Sequence, residues 1–109
     1  MIVYNTMSRK KEELKTLVPG EVSIYSCGPT VYNFAHIGNF RAYTFEDILR
    51  RVIQFNGMKV KQVMNLTDVD DKIINRANKE GKTSTEIAET YIAAFHEDMD
   101  RLNVRRAKR

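Results

Sequence analysis

Two β-prone segments flank one segment of helical period, and this order constrains the fold more than any other feature of the chain. Residues 22–27, VSIYSC, alternate as a strand does, and residues 59–66, KVKQVMNL, form a second strand with several valines. Between them, residues 39–56 predict a helix that Gly57 ends. Its apolar stripe consists of Ala42, Phe45, Leu49, Val52 and Ile53. A helix of this length between two strands predicts a βαβ unit with a parallel pair, and therefore an α/β fold.

Further elements are predicted on both sides of this unit. Residues 2–6 form a short strand, and the polar residues 8–20 end in the turn signal Pro19-Gly20. Thr67-Asp68 opens a helix that Gly81 ends, with one face made of Val69, Ile73 and Ala77.

The last predicted helix starts at Thr83, where Glu86 stands at the spacing of a capping box. Its apolar face consists of Ile87, Tyr91, Phe95, Met99 and Leu102. Residues 105–109, RRAKR, form a basic tail that we expect to be frayed and solvated, with contacts to nucleic-acid phosphates as the functional alternative.

Length and composition favour one small globular domain. The 109 residues carry 18 Lys and Arg against 14 Asp and Glu, and the net charge of +4 does not by itself identify a polyanionic partner. A single cysteine excludes an internal disulfide and indicates a reducing compartment, so we expect a cytoplasmic protein. Since no stretch approaches ~20 apolar residues, we expect no membrane association.

Two polar stretches follow the two strands of the βαβ unit. CGPTVYNFAHIGN occupies residues 27–39, and NLTDVDD occupies residues 65–71. Open parallel sheets bind ligands at the carboxyl ends of their strands. The two stretches are therefore expected to meet at one edge of the sheet and to form a site there.

The turn at residues 36–39, HIGN, has the features of a phosphate-binding turn. Gly38 allows a bound group to approach the backbone, and the helix that follows presents N–H groups and the positive end of its dipole. His36 and Asn39 can both donate hydrogen bonds to phosphate oxygens. The alternative is a structural histidine at an ordinary helix start, because so short a glycine motif is not specific.

Cys27 and the other candidate ligands leave several interpretations open. Cys27 can be a small buried apolar residue, a nucleophile with His36 as its base, or one ligand of a metal whose other ligands lie elsewhere. Asp68, Asp70 and Asp71 suggest a magnesium site, but we favour helix capping and complementation of the helix dipole. No second metal-ligand candidate for His96 is in helical register, so we interpret it as a surface histidine.

Five landmarks, in order and at the family's spacing, resemble the amino-terminal part of cysteinyl-tRNA synthetase, a class I aminoacyl-tRNA synthetase. They begin with YNT near the amino terminus and RKKEE at residues 9–13. The others are CGPTVY at 27–32, HIGN at 36–39 and NLTDVDDKII at 65–74. The resemblance implies a Rossmann-like parallel sheet with flanking helices, of the class I synthetase or HUP type, of which this chain contains only the amino-terminal half.

The resemblance also implies a reaction and a set of site residues. The carboxylate of cysteine attacks the α-phosphate of ATP, supplied with Mg²⁺, and the cysteinyl group passes from the adenylate to tRNA(Cys). By this resemblance, His36, Gly38 and Asn39 match the family's ATP-binding signature, and His36 and Asn39 are the catalytic candidates. Cys27 matches a ligand of a Zn²⁺ ion that binds the substrate thiolate, and Gly28, Thr30 and Thr67 match positions lining the amino-acid pocket. A helix N-cap is an equally good interpretation of Thr67.

The length of the chain is the main departure from the family. Residues 1–104 match the first part of the catalytic domain, while the second half of the nucleotide-binding fold, the other zinc ligands and the KMSKS-type loop have no counterpart here. We therefore expect a catalytic fragment that needs the missing half or a complementing chain. Two alternatives are a related ligase that joins cysteine to an amino sugar in thiol biosynthesis, and a non-catalytic remnant.

Overall fold

The computed structural model describes residues 1–108 as four strands and three helices. The strands are β1 (Ile2–Asn5), β2 (Lys10–Glu13), β3 (Glu21–Thr30) and β4 (Lys59–Thr67), and the helices are α1 (Ile37–Phe55), α2 (Asp71–Glu80) and α3 (Ser84–Arg101). The predicted order of strand, helix and strand is confirmed by β3, α1 and β4. No helix within the described residues is long and apolar enough to cross a membrane.

Strands β3 and β4 pair in parallel, as the crossover helix between them requires. The register runs from Glu21 opposite Lys59 to Cys27 opposite Asn65, and it resumes with Thr30 opposite Thr67 after an irregularity. Side chains alternate between the two faces of this pair. One face is covered by helices, whereas Tyr25, on the other face, is 72% exposed.

Two apolar clusters hold the helices against the sheet. The first joins α1, β4, α3 and the residue Val104, and it consists of Phe40, Tyr43, Met64, Leu66, Phe95, Met99 and Val104. The second joins the loop after β3 to α2 and α3, and it consists of Val31, Ile73, Ala77, Ile87, Ala88 and Tyr91. The residues of the predicted α3 face are buried as expected, except Leu102, which is about half exposed.

The amino-terminal residues form an antiparallel hairpin of β1 and β2. The strand predicted at residues 2–6 is observed as β1, but β2 lies inside the stretch from 8 to 20 for which we predicted no strand. All four residues of β2, KKEE, are exposed. Backbone pairing with β1 forms this strand without help from any hydrophobic alternation, so the sequence pattern gave no signal for it.

Helix α1 buries a different face from the predicted one. Of the predicted stripe only Ile53 is buried, and Phe45 remains 65% exposed. The buried face instead contains Phe40, Tyr43 and Asp47. From Phe40 to Asp47 this face lies two residues earlier along the helix than the predicted one, which corresponds to a rotation of about 200°. Because the helix carries apolar side chains on both sides, its periodicity did not decide which side packs against the sheet.

Helix α2 starts later than predicted. Its N-cap is Asp70, whose carboxylate accepts a hydrogen bond from the N–H of Lys72 at 2.9 Å. Thr67 is therefore the last residue of β4 and not a helix cap, and Val69 is 80% exposed in the connecting loop. The predicted capping box of α3 is confirmed, with Thr83 as N-cap and Glu86 as its partner.

Residues 104–108, which we call the carboxyl-terminal segment, pack on the sheet. Lys108 forms a parallel bridge with Val63 of β4, its N–H donating to Gln62 O at 3.0 Å. Upstream, the N–H of Arg105 donates to the buried carboxylate of Asp47 at 3.2 Å. The expectation of a frayed basic tail is therefore wrong for residues 105–108, because backbone pairing and a buried acceptor hold them, and Arg109 lies outside the described residues.

Candidate functional site

The carboxyl ends of β3 and β4 bring the two polar stretches together. Thr30 pairs with Thr67, and the N–H of Val31 donates to Thr67 O at 3.0 Å. Three residues before Thr30 in β3, Cys27 lies opposite Asn65 of β4. The predicted meeting of CGPT and NLT at one edge is therefore present in the backbone pairing itself.

A bulge at Gly28 and Pro29 shapes this edge. Between the pairs of Cys27 and Thr30, two residues of β3 face one residue of β4. A Cβ atom on Gly28 would lie 2.0 Å from the backbone oxygen of Asn65 and 2.9 Å from Cγ of Met64. Only glycine allows the two strands to approach this closely, so the glycine is required by packing whatever else it does.

The side chain of Asn65 connects the two strand ends. Its Oδ1 accepts a hydrogen bond from the N–H of Gly28 at 3.1 Å, and its Nδ2 donates to Oγ1 of Thr67 at 3.3 Å. Asn65 was not among the predicted site residues. The available signal was a polar residue between the apolar Met64 and Leu66, two positions before Thr67.

Cys27 is a free thiol and is exposed, which excludes its interpretation as a small buried apolar residue. Its Sγ donates a weak hydrogen bond to the carbonyl oxygen of Gly28 at 3.8 Å. The ring of His36 is engaged with its own helix, so within residues 1–108 no hydrogen bond joins the thiol to a base, as a nucleophile would require.

The residues of the described chain do not make a zinc site on their own. No group of three or more His, Cys, Asp or Glu side chains in residues 1–108 is placed to hold a metal ion. Cys27 supplies one thiolate donor, whereas zinc takes about four ligands. Any zinc bound at Cys27 requires ligands from outside these residues.

HIGN forms a complete helix cap. His36 is the N-cap of α1, and its Nδ1 accepts a hydrogen bond from the N–H of Gly38 at 3.1 Å. In return, Oδ1 of Asn39 accepts from the N–H of His36 at 3.0 Å. The turn therefore has the structural role of a helix cap, and all four of its residues are exposed.

This cap leaves donors for a ligand. With Nδ1 of His36 acting as acceptor, the ring carries its proton on Nε2, and with Oδ1 of Asn39 engaged, the Nδ2 group is the side chain's donor. Both side chains are exposed at the positive end of a helix of 19 residues. Capping and anion binding are thus compatible at these two residues.

Tyr43 lies beneath the site on the buried face of α1. Its ring makes edge contacts with Phe40 and Phe95 at centroid distances of 6.0 and 5.3 Å. Burial raises the pKa of the Tyr43 phenol to about 12, with smaller contributions from the charges of Glu46 and Cys27. The phenol therefore stays protonated well above neutral pH.

The remaining candidates have structural roles. Asp70 caps α2, and Asp71 lies in the first turn, as the capping interpretation predicted. Within residues 1–108 these carboxylates, with Asp68, form no metal-binding group. His96 is half-buried, with its ring centroid 5.5 Å from that of Phe95, and in residues 1–108 it belongs to no group placed to hold a metal ion.

One comparison with known proteins identifies the family. A family model described as "tRNA synthetases class I (C) catalytic domain" matches residues 13–109, which contain β3, β4, all three helices and both strand ends described above. The architecture agrees with this match, since a parallel strand pair with flanking helices is a fragment of a Rossmann-like α/β domain. The chain therefore belongs to the family of class I tRNA synthetase catalytic domains.

Proposed function

We propose that this chain is the amino-terminal part of the catalytic domain of a cysteine–tRNA ligase. The reaction is the ATP-dependent activation of cysteine to cysteinyl-adenylate, followed by transfer to tRNA(Cys). The observation that carries the proposal is the placement of an exposed thiol, Cys27, beside the bulged strand ends, in a chain whose family activates amino acids for tRNA. We place the protein in the cytoplasm, because an exposed free thiol suits a reducing compartment.

In this proposal the amino-terminal turn of α1 binds ATP. Nε2 of His36 and Nδ2 of Asn39 donate to phosphate oxygens, and Gly38 keeps the approach to the backbone open. Negative charge builds on the α-phosphate as the carboxylate attacks and pyrophosphate leaves. Donors already fixed by a capping box stabilise that charge without having to reorganise.

Cysteine binds at the strand ends, against Gly28, Thr30 and Thr67. Cys27 is proposed as one ligand of a Zn²⁺ ion whose other ligands come from outside this chain. Thiolate sulfur is a better zinc ligand than a hydroxyl oxygen, which gives a chemical basis for rejecting serine.

We further propose that residues 1–104 act together with the second half of the nucleotide-binding domain. One face of the parallel strand pair is uncovered in the described residues. On that face Tyr25 is 72% exposed and Val63 is 42% exposed. Parallel sheets in α/β proteins are normally covered on both faces. A second half, in the same chain or a complementing one, supplies that cover.

The test is cysteine-dependent exchange of pyrophosphate into ATP in the presence of zinc. It is run on this chain alone and on the chain joined to the carboxyl-terminal half of a class I synthetase catalytic domain. We expect exchange only in the joined protein, and we expect Cys27→Ser to abolish the preference for cysteine over serine. Tyr25→Phe, on the same exposed face, is the matched control and should leave exchange unchanged. Absence of exchange in both forms would overturn the proposed activity.

Charging of tRNA separates this proposal from the related ligase. A protein that activates cysteine and aminoacylates tRNA(Cys) supports the proposal. A protein that activates cysteine but transfers it only to an amino sugar is the ligase of thiol biosynthesis.

A further inference from the structure

We propose that Asn65 is a positioning residue that fixes the Gly28 bulge and makes the Thr67 hydroxyl a hydrogen-bond donor toward the substrate. The inference rests on the proposed function and deepens it, because it states which partner donates the hydrogen bond between Thr67 and the bound amino acid. It predicts that the group facing Thr67 is an acceptor, such as a carboxylate or carbonyl oxygen of the bound amino acid.

The orientation of the Asn65 amide is determined by its backbone partner. The N–H of Gly28 can only donate, so the atom 3.1 Å away from it must be Oδ1. The other end of the amide, Nδ2, is then directed to Oγ1 of Thr67 at 3.3 Å. Both partners belong to the strand ends, and Asn65 is half-buried between them.

This orientation sets the polarity of Thr67. A threonine hydroxyl has one proton and two lone pairs. Since Nδ2 has no lone pair to offer, Oγ1 of Thr67 accepts from it, and the hydroxyl proton is left for another acceptor. The backbone oxygen of Thr67 is already occupied by the N–H of Val31 at 3.0 Å. The hydroxyl proton is therefore the donor that Thr67 presents at the strand end.

Asn65, which sets the polarity of the Thr67 hydroxyl, also contacts the bulge at Gly28. A Cβ on Gly28 would meet the Asn65 backbone at 2.0 Å, so backbone and side chain of Asn65 both contact the same glycine. Cys27 immediately precedes this glycine, and its Sγ contacts the Gly28 oxygen. Asn65 thus fixes the position of the Gly28 peptide, which follows Cys27, relative to the Thr67 hydroxyl on the neighbouring strand.

The test compares Asn65→Asp with Asn65→Ala. Aspartate has the same shape and still accepts from the N–H of Gly28, but it accepts from Thr67 as well and so reverses the polarity of the hydroxyl. Alanine loses both hydrogen bonds. Asn75→Asp, an exposed residue of α2, is the control for added charge.

Two readouts are used. In this chain, we expect hydrogen exchange of the Gly28 amide to accelerate on the order of tenfold in Asn65→Ala and to stay unchanged in Asn65→Asp. In the joined protein, we expect Asn65→Asp to raise KM for cysteine by about tenfold in pyrophosphate exchange, with KM for ATP unchanged. Asn75→Asp should change neither.

A double-mutant cycle separates polarity from simple repulsion of the substrate carboxylate. If the effect passes through Thr67, Asn65→Asp adds nothing in a Thr67→Val background. Full additivity, or unchanged Gly28 exchange in Asn65→Ala, would overturn the inference. If the unsubstituted joined protein shows no exchange, the proposed function fails, and Gly28 amide exchange alone decides whether Asn65 holds the bulge.

Discussion

Replacing Gly28 by alanine places a methyl group where the backbone of β4 already lies. The added Cβ would be 2.0 Å from the oxygen of Asn65, and real Cβ atoms essentially never approach a neighbour closer than 3.0 Å. The obstacle is a backbone atom, so rotation of a side chain cannot relieve the contact. The strands must instead separate locally by roughly 1 Å, against the packing of their half-buried ends.

The expected cost combines two effects. Overpacking in a closely packed region costs about 1–3 kcal/mol. Separation of the strands also stretches the 3.1 Å hydrogen bond from Gly28 to Asn65, which contributes about 1 kcal/mol. We therefore expect Gly28→Ala to lower the free energy of unfolding by about 2–4 kcal/mol, a large share of the roughly 5–15 kcal/mol typical of a domain.

Urea denaturation of this chain, followed by circular dichroism, measures the effect. With a slope of about 1–1.5 kcal/mol per molar urea, the midpoint should fall by roughly 2 M. The matched control is Gly38→Ala, where the new Cβ meets only Nδ1 of His36 at 3.4 Å. This site lies in the first turn of α1, so alanine there should be neutral or stabilising by about 0.4–1 kcal/mol. Equal midpoints for the two variants would refute the close approach of β3 and β4.

Three further predictions concern stability. Asp47→Ala should destabilise the chain by about 1–3 kcal/mol in urea denaturation, because it removes a buried carboxylate. That carboxylate pairs with Arg51 at 2.6 Å and accepts a backbone N–H of the carboxyl-terminal segment. A change below about 0.5 kcal/mol would contradict this role. Thr83→Ala should cost about 1 kcal/mol of helix capping at pH 7. The backbone N–H and the hydroxyl of Thr83 both donate to the Glu86 carboxylate and lower its pKa, so the stabilisation from these two bonds is present above the ordinary pKa of 4.5 and is lost as the pH falls below it. Thr83→Ala removes the hydroxyl bond only, and unfolding curves of the variant should show a weaker acid dependence. Tyr43 keeps its proton to about pH 12, whereas an unfolded phenol loses it near 10, so stability should fall as the pH rises from 10 to 12, and Tyr43→Phe should remove that slope in alkaline unfolding curves.

Local patterns predicted the order of the central elements because they depend on short-range chemistry. Alternation, helical period and cap residues act within a few positions, and they correctly located β3, α1, β4 and the cap at Thr83. The family resemblance then predicted roles for the site residues. The match of a family model to residues 13–109 shows that the chain belongs to the class I tRNA synthetase catalytic domains. The roles of His36, Asn39 and Cys27 remain predictions, and the effect of Cys27→Ser on pyrophosphate exchange tests the last of them.

Pairing between distant residues could not be read from the same patterns. Strand β2 forms from four charged, exposed residues because β1 offers backbone partners. The carboxyl-terminal segment reads as a solvated basic tail, yet the outer edge of β4 and the carboxylate of Asp47 hold it in place. In both cases the stabilising groups are backbone atoms or a single buried acceptor far along the chain, which composition does not reveal.

By itself, the sequence determined the α/β class, the parallel βαβ unit and the meeting of CGPT with NLT at one sheet edge, because these follow from the order and period of the elements. Only the tertiary structure decided which face of α1 is buried, since both faces are apolar and packing against the sheet selects one. It also decided that Asn65 links Gly28 to Thr67, because a side-chain bridge between strands depends on their register and on a bulge. Register is set by the packing of the whole unit, and no single segment contains it.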